Sequence, residues 1–186
     1  MRLEPLKINI ANKRIYLKNL EVRDITPEYI SWLNDPAVCK FISTYGFRQT
    51  YQKVRSYVES FKEKGDRLLL GIFLKANNRH IGNLTFSHID RKDNFAAIGI
   101  CIGIKELWGN GYGEEALDCA KKIAFQRLKL NRLEAGALIA NTGSVRLFKK
   151  CGFKVEGRLR EKEIKDGIYH DALIMALLKK DYLRIS

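Results

Sequence analysis

Three glycines at alternate positions stand in residues 107–117, which read L-W-G-N-G-Y-G-E-E-A-L. Gly109, Gly111 and Gly113 carry no side chain and can adopt positive φ angles, so successive backbone N–H groups can turn inward around an anion. A helix-forming sequence follows, and its first turn would add unpaired N–H donors and the positive end of the helix dipole. The segment therefore predicts a phosphate-binding loop.

Two better-known phosphate-binding motifs do not fit this loop. A P-loop requires Gly-Lys-Ser/Thr, whereas Gly113 is followed by Glu114 and Glu115. A dinucleotide fingerprint requires G-x-G-x-x-G near the start of a β-α-β unit, whereas this loop reads G-x-G-x-G and follows several strand-like runs. Nucleoside triphosphate hydrolysis and dinucleotide binding are therefore disfavoured, while a turn that merely needs glycine remains the structural alternative.

Two other polar segments could carry chemistry. Asn141 and Ser144 lie in N-T-G-S between a strand-like and a helix-like run, where such side chains commonly cap the helix. Glu161 and Glu163 lie in E-K-E-I-K-D, which by composition alone would be a solvated hairpin face. Because these two glutamates are two positions apart, the strand period predicts that they share a face.

The histidines and cysteines give weaker signals. His80 and His88 lack an acidic or serine partner in sequence and are interpreted as structural, whereas His170, in Y-H-D, could line a substrate site or satisfy one hydrogen bond. The cysteines have no C-x-x-C pair and no histidine at metal-ligand spacing, so we expect no metal site and a reduced, cytoplasmic compartment. They are Cys39, Cys101, Cys119 and Cys151.

Composition indicates one globular domain that attracts anions. The chain has 186 residues, 46% of them hydrophobic, and a formal net charge of +13. Such a charge concentrates anionic partners around the protein. The basic residues are interspersed with Asp and Glu and no nucleic-acid motif is present, so specific nucleic-acid binding is the alternative function, not the favoured one. No apolar stretch at the N-terminus or elsewhere has the length of a leader or a membrane span.

Apolar periodicity indicates the elements that position these residues. The order is β-α-α-β-β-β-α-β-α-β-β, with an antiparallel meander in the middle and a K-D-G turn between the last two strands. The predicted strands are residues 14–20, 68–75, 80–87, 95–104, 132–140, 153–160 and 172–178. The predicted helices are a short one from Pro27 that Pro36 ends, and residues 50–64, 116–128 and 142–151.

The glycine loop and the segment A-N-T-G-S-V-R-L-F-K-K-C-G-F-K-V-E-G together resemble the GNAT N-acetyltransferases, specifically their RimJ/RimL-type branch. The resemblance covers residues 14–182, and the element order above is the order of that fold. It implies a single N-acetyltransferase domain over residues 1–186 of the α/β (α+β) class. The expected architecture is a mixed, mostly antiparallel central sheet with helices on both faces.

The resemblance also implies a binding site for acetyl-coenzyme A (acetyl-CoA). The family's asparagine, here Asn141, bonds the pantetheine arm, which Phe148 flanks, and backbone N–H groups at Ile102 and Ile104 stabilise the oxyanion. The family's Q/R position before the loop is occupied by Trp108, so that polar contact is not expected here. The pyrophosphate contacts correspond to Gly109, Asn110, Gly111, Tyr112, Gly113 and Glu114.

Acetyl transfer from a thioester to an amine requires a free-base amine and a proton for the departing thiolate. The segment E-I-K-D-G-I-Y-H-D is similar to E-Y-L-N-G-x-Y-H-D of the ribosomal-protein acetyltransferases, in which the glutamate is the proposed base. The resemblance therefore assigns the base to Glu163 and the acid to Ser144, which also contacts the coenzyme. Glu161 or a relay of water molecules is the alternative base.

Two acceptors are compatible with the resemblance. The segment E-I-K-D-G-I-Y-H-D favours the N-terminal amine of a protein, whereas Y-I-S-W-L-N-D-P-A-V-C-K-F-I is similar to relatives that acetylate amino sugars on nucleotide carriers. A polyamine is disfavoured because a chain of charge +13 repels a cation. The alternatives without catalysis are a basic nucleic-acid- or ribosome-associated module and a CoA-binding protein. Homodimers are frequent in the family, but no residue here argues for one.

Overall fold

One sheet of eight strands organises the computed structural model, which describes residues 7–42, 46–63 and 65–185. Its strand order is β1-β2-β3-β4-β5-β6-β8-β7. The strands are β1 (Asn9–Ala11), β2 (Ile15–Asn19), β3 (Leu68–Leu74), β4 (His80–Asp90), β5 (Phe95–Ile102), β6 (Arg132–Leu138), β7 (Lys154–Lys165) and β8 (Ile168–Leu178). The helices are α1 (Pro27–Trp32), α2 (Pro36–Cys39), α3 (Tyr51–Glu63), α4 (Tyr112–Lys122), α5 (Thr142–Lys150) and α6 (Lys179–Ile185).

The predicted element order is confirmed, and the structure adds β1, the short helix α2 and the C-terminal helix α6. Helix α4 begins at Tyr112, earlier than predicted, because Gly111 caps it with a φ of +83°, and a π-helical turn (Ile123–Arg127) continues it. The last hairpin extends to its K-D-G turn, where Asp166 and Gly167 have φ angles of 52° and 76°. The N-terminal residues 1–6, on which the expectation of no leader partly rests, and Lys64 at the predicted end of α3 lie outside the described residues.

The sheet is mixed and mostly antiparallel, as predicted, and its one parallel pair in the described part of the chain is β5 with β6. These two strands pair over four positions, from Phe95 with Arg132 to Ile98 with Ala135. Beyond that point β5 continues to Ile102 and β6 to Leu138 without pairing to each other. The strands therefore separate at their carboxyl ends and open a gap in the sheet.

The backbone N–H groups at the end of β5 are directed toward this gap, whereas the carbonyl of Ile102 accepts a hydrogen bond from Trp108 Nε1 at 2.8 Å. The N–H of Gly103 donates to the carbonyl of Ile81 at 2.8 Å, and Ile102 stands opposite Gly82. In an antiparallel ladder this makes Ile102 and Gly82 a non-hydrogen-bonded pair, so the N–H and C=O of Ile102 point away from β4. The same alternation turns the N–H of Ile100 toward the side of β6.

Helix α1 is fixed against the end of β5 by one close contact. A Cβ atom at Gly103 would lie 2.0 Å from Cδ2 of Trp32, so the indole rests directly on the glycine backbone. Trp32 is 4% exposed and its ring centroid lies 4.7 Å from that of Tyr29. Glycine at position 103 is therefore a packing requirement that holds α1 beside the gap.

Within the described ranges, no helix combines the length and the apolar character that crossing a bilayer would require.

We predict that Gly103→Ala lowers the free energy of unfolding by about 1–3 kcal/mol, because the new methyl group must displace a buried indole. Gly157→Ala is the matched control, since a Cβ there meets nothing within 4 Å. Urea unfolding of both variants measures the difference. Equal stability of the two would contradict the packing role of Gly103.

Candidate active site

A cleft of about 470 Å³ lies where β5 and β6 separate. The carboxyl ends of both strands and the start of α5 form one wall, while α1, α3 and the hairpin of β7 and β8 supply residues on the other sides. The cleft thus joins the gap in the sheet to the early helices. Reactants that entered from the two sides would meet inside it.

The structure brings four of the predicted site residues into this cleft and leaves the others outside. Asn141, Ser144, Phe148 and Glu163 line it. Ile100, which the sequence analysis did not single out, also lines it. The predicted residues that do not line it are Ile102, Ile104, Gly109, Asn110, Gly111, Tyr112, Gly113 and Glu114.

Two of the three glycines of the loop adopt the positive φ angles that only glycine takes readily. Gly109 and Gly111 have φ angles of +75° and +83°. Gly113 instead lies inside the first turn of α4, where a Cβ would lie 3.0 Å from Leu147 Cδ2. The first bond of the helix runs from the N–H of Glu115 to the carbonyl of Gly111 at 3.1 Å, so the amides before it have no intrahelical acceptor.

An ion pair between Arg14, the residue before β2, and Glu115 of α4 supports this loop. Arg14 Nε lies 2.5 Å from Glu115 Oε1, and the Arg14 backbone N–H donates to Glu115 Oε2 at 2.9 Å. Arg14 Nη2 donates to the carbonyl of Asn110 at 2.8 Å, and the guanidinium lies 4.1 Å from the ring centroid of Tyr112. No local sequence pattern predicts this role of Arg14, because the ion pair joins residues 101 positions apart.

Asn141 performs the helix-capping role that its position in sequence predicts. Its Oδ1 accepts a hydrogen bond from the N–H of Ser144 at 3.1 Å. Among the described residues no partner of its Nδ2 group is found. The capping and binding interpretations therefore use different atoms of one side chain and are compatible.

The two glutamates of the hairpin do not share a face. Leu159 pairs with Ala172 and Glu163 with His170, so β7 contains a bulge between these pairs. Glu161 in this bulge has a φ of 51° and its N–H donates to Asp171 Oδ1 at 2.8 Å. Glu163 lines the cleft and Glu161 does not. The predicted common face is wrong because the bulge breaks the alternation of the strand.

Glu163 has a basic neighbour. Its Oε2 lies 3.7 Å from Lys165 Nζ, and its side chain is 48% exposed. His170 stands opposite Glu163 on β8. The glutamate thus lines the cleft and is also accessible to solvent.

Cys101 also lines the cleft, and its chemistry is limited by burial. Burial raises the pKa of the Cys101 thiol to about 12. Because the thiolate is the nucleophilic form, this side chain is a poor acyl carrier at neutral pH. In the described ranges no cluster of three or more metal-ligating side chains is found.

Comparisons with known proteins agree on one family. The model of the acetyltransferase (GNAT) domain matches residues 14–154. The uncharacterized N-acetyltransferase p20 of Bacillus licheniformis is 30% identical over 93% of this chain and 97% of its own length. Two examples from the solved structures that share the fold follow. An acetyltransferase of the GNAT family from Bacillus anthracis has 23% identity and a TM-score of 0.80, covering 93% of this chain and 99% of its own. Spermidine N-acetyltransferase from Vibrio cholerae, in complex with CoA and spermine, has 21% identity and a TM-score of 0.81, covering 92% and 99%.

We predict that Asn141→Ala lowers both stability, by about 1 kcal/mol, and the affinity for CoA, whereas Asn141→Ser restores the cap but not the affinity. Serine supplies an acceptor for the Ser144 N–H and removes the Nδ2 donor. Thermal unfolding and calorimetric titration with CoA measure the two effects. Wild-type affinity in Asn141→Ser would show that Nδ2 does not contact the coenzyme.

Proposed function

The chain belongs to the acetyltransferase (GNAT) family, and we propose that it moves the acetyl group of acetyl-CoA directly to the N-terminal amine of a protein, as a member of the RimJ/RimL-type branch. The observation that carries the proposal is that the separated strands and the early helices line the same cleft. A thioester held between β5 and β6 and an amine entering past α1 and α3 would meet there. Both substrates are therefore bound before the chemistry begins.

The residues on the coenzyme side fit acetyl-CoA. The positive φ angles of Gly109 and Gly111 and the free first-turn amides of α4 suit a pyrophosphate. The N–H groups of Ile100 and Ile102, directed into the gap, suit the thioester carbonyl and the oxyanion that develops from it. Acetyl-CoA supplies the activated acyl group, and the chain supplies orientation and charge stabilisation.

Glu163 and Ser144 take the two proton-transfer roles in this proposal. Both line the cleft, Glu163 from β7 and Ser144 from α5. The carboxylate of Glu163 accepts a proton from the amine, which must be a free base to attack. The hydroxyl of Ser144 donates a proton to the departing thiolate of CoA and regains one from water, while Glu163 releases the proton of the amine to solvent.

Direct transfer is favoured over an acyl-enzyme intermediate. Cys101 is the only cysteine among the described residues that line the cleft, and its desolvated, half-buried thiol stays protonated at neutral pH. A protonated thiol attacks a thioester slowly. The amine itself is then the nucleophile.

The charges of the cleft favour a monocation over a polyamine. Of the described residues that line it, only Lys162 and Glu163 are charged. A polyamine would need several carboxylates, and the chain as a whole has a net charge of +13. The spermine bound by the Vibrio cholerae enzyme is therefore not our proposed acceptor. An amino sugar on a nucleotide carrier is the second candidate, because the basic surface also attracts its phosphates.

We predict that Glu163→Gln lowers kcat about 10²–10⁴-fold, the range for loss of a general base, with little change in the KM for acetyl-CoA. Glu161→Gln is the matched control, since Glu161 lies outside the cleft on the same strand. Steady-state kinetics of both variants over a pH range measure the effect. Equal activity of the two variants would remove Glu163 from the mechanism.

An acceptor screen tests the function itself. Release of CoA thiol from acetyl-CoA is followed with N-terminal peptides, nucleotide-linked amino sugars and spermidine. We expect turnover with the peptides and little with spermidine. Preferential acetylation of spermidine would overturn the proposed acceptor, and failure of acetyl-CoA to raise the melting temperature would overturn the proposed coenzyme site.

A further inference from the structure

A buried histidine sets the direction of a hydrogen-bond chain that ends in the cleft. His80 Nε2 lies 2.9 Å from the carbonyl oxygen of Gly82 and 2.9 Å from Asn83 Oδ1. A backbone carbonyl can only accept, so Nε2 must carry the proton. His80 Nδ1 is buried and has no partner among the described residues, which fits a nitrogen that carries a lone pair rather than a proton.

The histidine proton fixes the orientation of the Asn83 amide. Because Nε2–H donates, the atom of Asn83 that faces it must be the oxygen. The amide nitrogen Nδ2 then faces the hydroxyl oxygen of Tyr29, to which it donates at 2.8 Å. Tyr29 thus accepts from Asn83, and its own proton must point elsewhere.

The Tyr29 hydroxyl is a donor whose acceptor is not part of the described chain. Tyr29 and Asn83 both line the cleft, and no acceptor for the Tyr29 proton is found among the described residues. We infer that Tyr29 is a specificity-determining residue whose hydroxyl donates to an oxygen atom beside the amine of the acceptor substrate. His80 and Asn83 are positioning residues that fix the direction of this donor.

This inference rests on the proposed acetylation of an amine and narrows its acceptor. A protein N-terminus presents the carbonyl oxygen of its first residue, and an amino sugar presents a neighbouring hydroxyl, so both offer the required oxygen. An alkyl polyamine offers none, and its ammonium groups can only donate. The hydroxyl therefore selects for an oxygen-bearing amine.

The donor keeps its direction over the neutral pH range. Burial raises the pKa of Tyr29, so the phenol stays protonated. Burial lowers the pKa of His80, so the ring stays neutral and retains one N–H. The hydrogen bonds from His80 through Asn83 to Tyr29 therefore keep the same donors and acceptors throughout this pH range.

The test compares acceptors that differ in the oxygen. The probes are L-alaninamide, glucosamine and 2-amino-3-methylbutane. The last has the shape of alaninamide with methyl groups in place of its amide oxygen and nitrogen, and since a hydroxyl that donates can bond only the oxygen, the comparison isolates that atom. We expect Tyr29→Phe to lower the ratio of kcat/KM for alaninamide to that for 2-amino-3-methylbutane about 3–10-fold, as for loss of one neutral hydrogen bond. Comparing ratios between variants cancels the different basicities of the two amines.

A second variant separates the direction of the Tyr29 hydrogen bond from the packing of the Tyr29 ring. In Asn83→Asp the carboxylate accepts from both His80 and Tyr29, which turns the Tyr29 oxygen toward the cleft as an acceptor. We expect the same fall in the ratio with the Tyr29 hydroxyl still present. Tyr16→Phe is the control, because the Tyr16 hydroxyl bonds Asn78 Oδ1 at 3.1 Å and lies outside the cleft.

The outcomes distinguish this inference from the function on which it rests. The inference is supported if the ratio falls in Tyr29→Phe and Asn83→Asp but not in Tyr16→Phe. The same ratio is measured with glucosamine in place of alaninamide. A fall for alaninamide identifies a carbonyl as the partner of Tyr29, and a fall for glucosamine identifies a hydroxyl. Acetylation of the probes with an unchanged ratio overturns the role of Tyr29 and leaves the proposed function standing. Binding of acetyl-CoA without acetylation of any probe overturns both.

Discussion

The end of pairing between β5 and β6 is the constraint on which the site depends. Parallel strands of a twisted sheet stay together only while backbone groups can pair, and here pairing ends at Ile98 and Ala135. Past that point the N–H groups of Ile100 and Ile102 face no paired position on β6. Unpaired backbone groups are stable only where water or a ligand can satisfy them, so the gap is suited to bind a polar ligand.

Two contacts between distant parts of the chain keep the gap and the loop in place. Trp32 rests on Gly103 and holds α1 at the end of β5, which gives the cleft its wall on the acceptor side. Arg14, directly before β2, bonds Glu115 and the carbonyl of Asn110, which holds the glycine loop at the start of α4. The first contact is steric and the second is electrostatic. Each fixes the position of an element that the local sequence does not determine.

The charge of the cleft differs from the charge of the whole molecule. The chain carries a net charge of +13, yet among the described residues the cleft is lined by one cation and one carboxylate. Long-range attraction for anions and local recognition of an amine are thus separate properties. In our proposal the hydrogen-bond direction set by His80 and Asn83 adds a second means of discrimination to the sparse charge of the cleft.

The sequence by itself determined the element order, the glycine loop and the capping role of Asn141, because each depends on local periodicity or backbone conformation. The tertiary structure alone decided where β5 and β6 part, which atoms Arg14 contacts and that Glu161 and Glu163 face different ways. It also decided that Gly113 serves packing against Leu147 rather than a turn. Strand register, bulges and contacts between distant residues depend on the whole sheet, and no short segment encodes them.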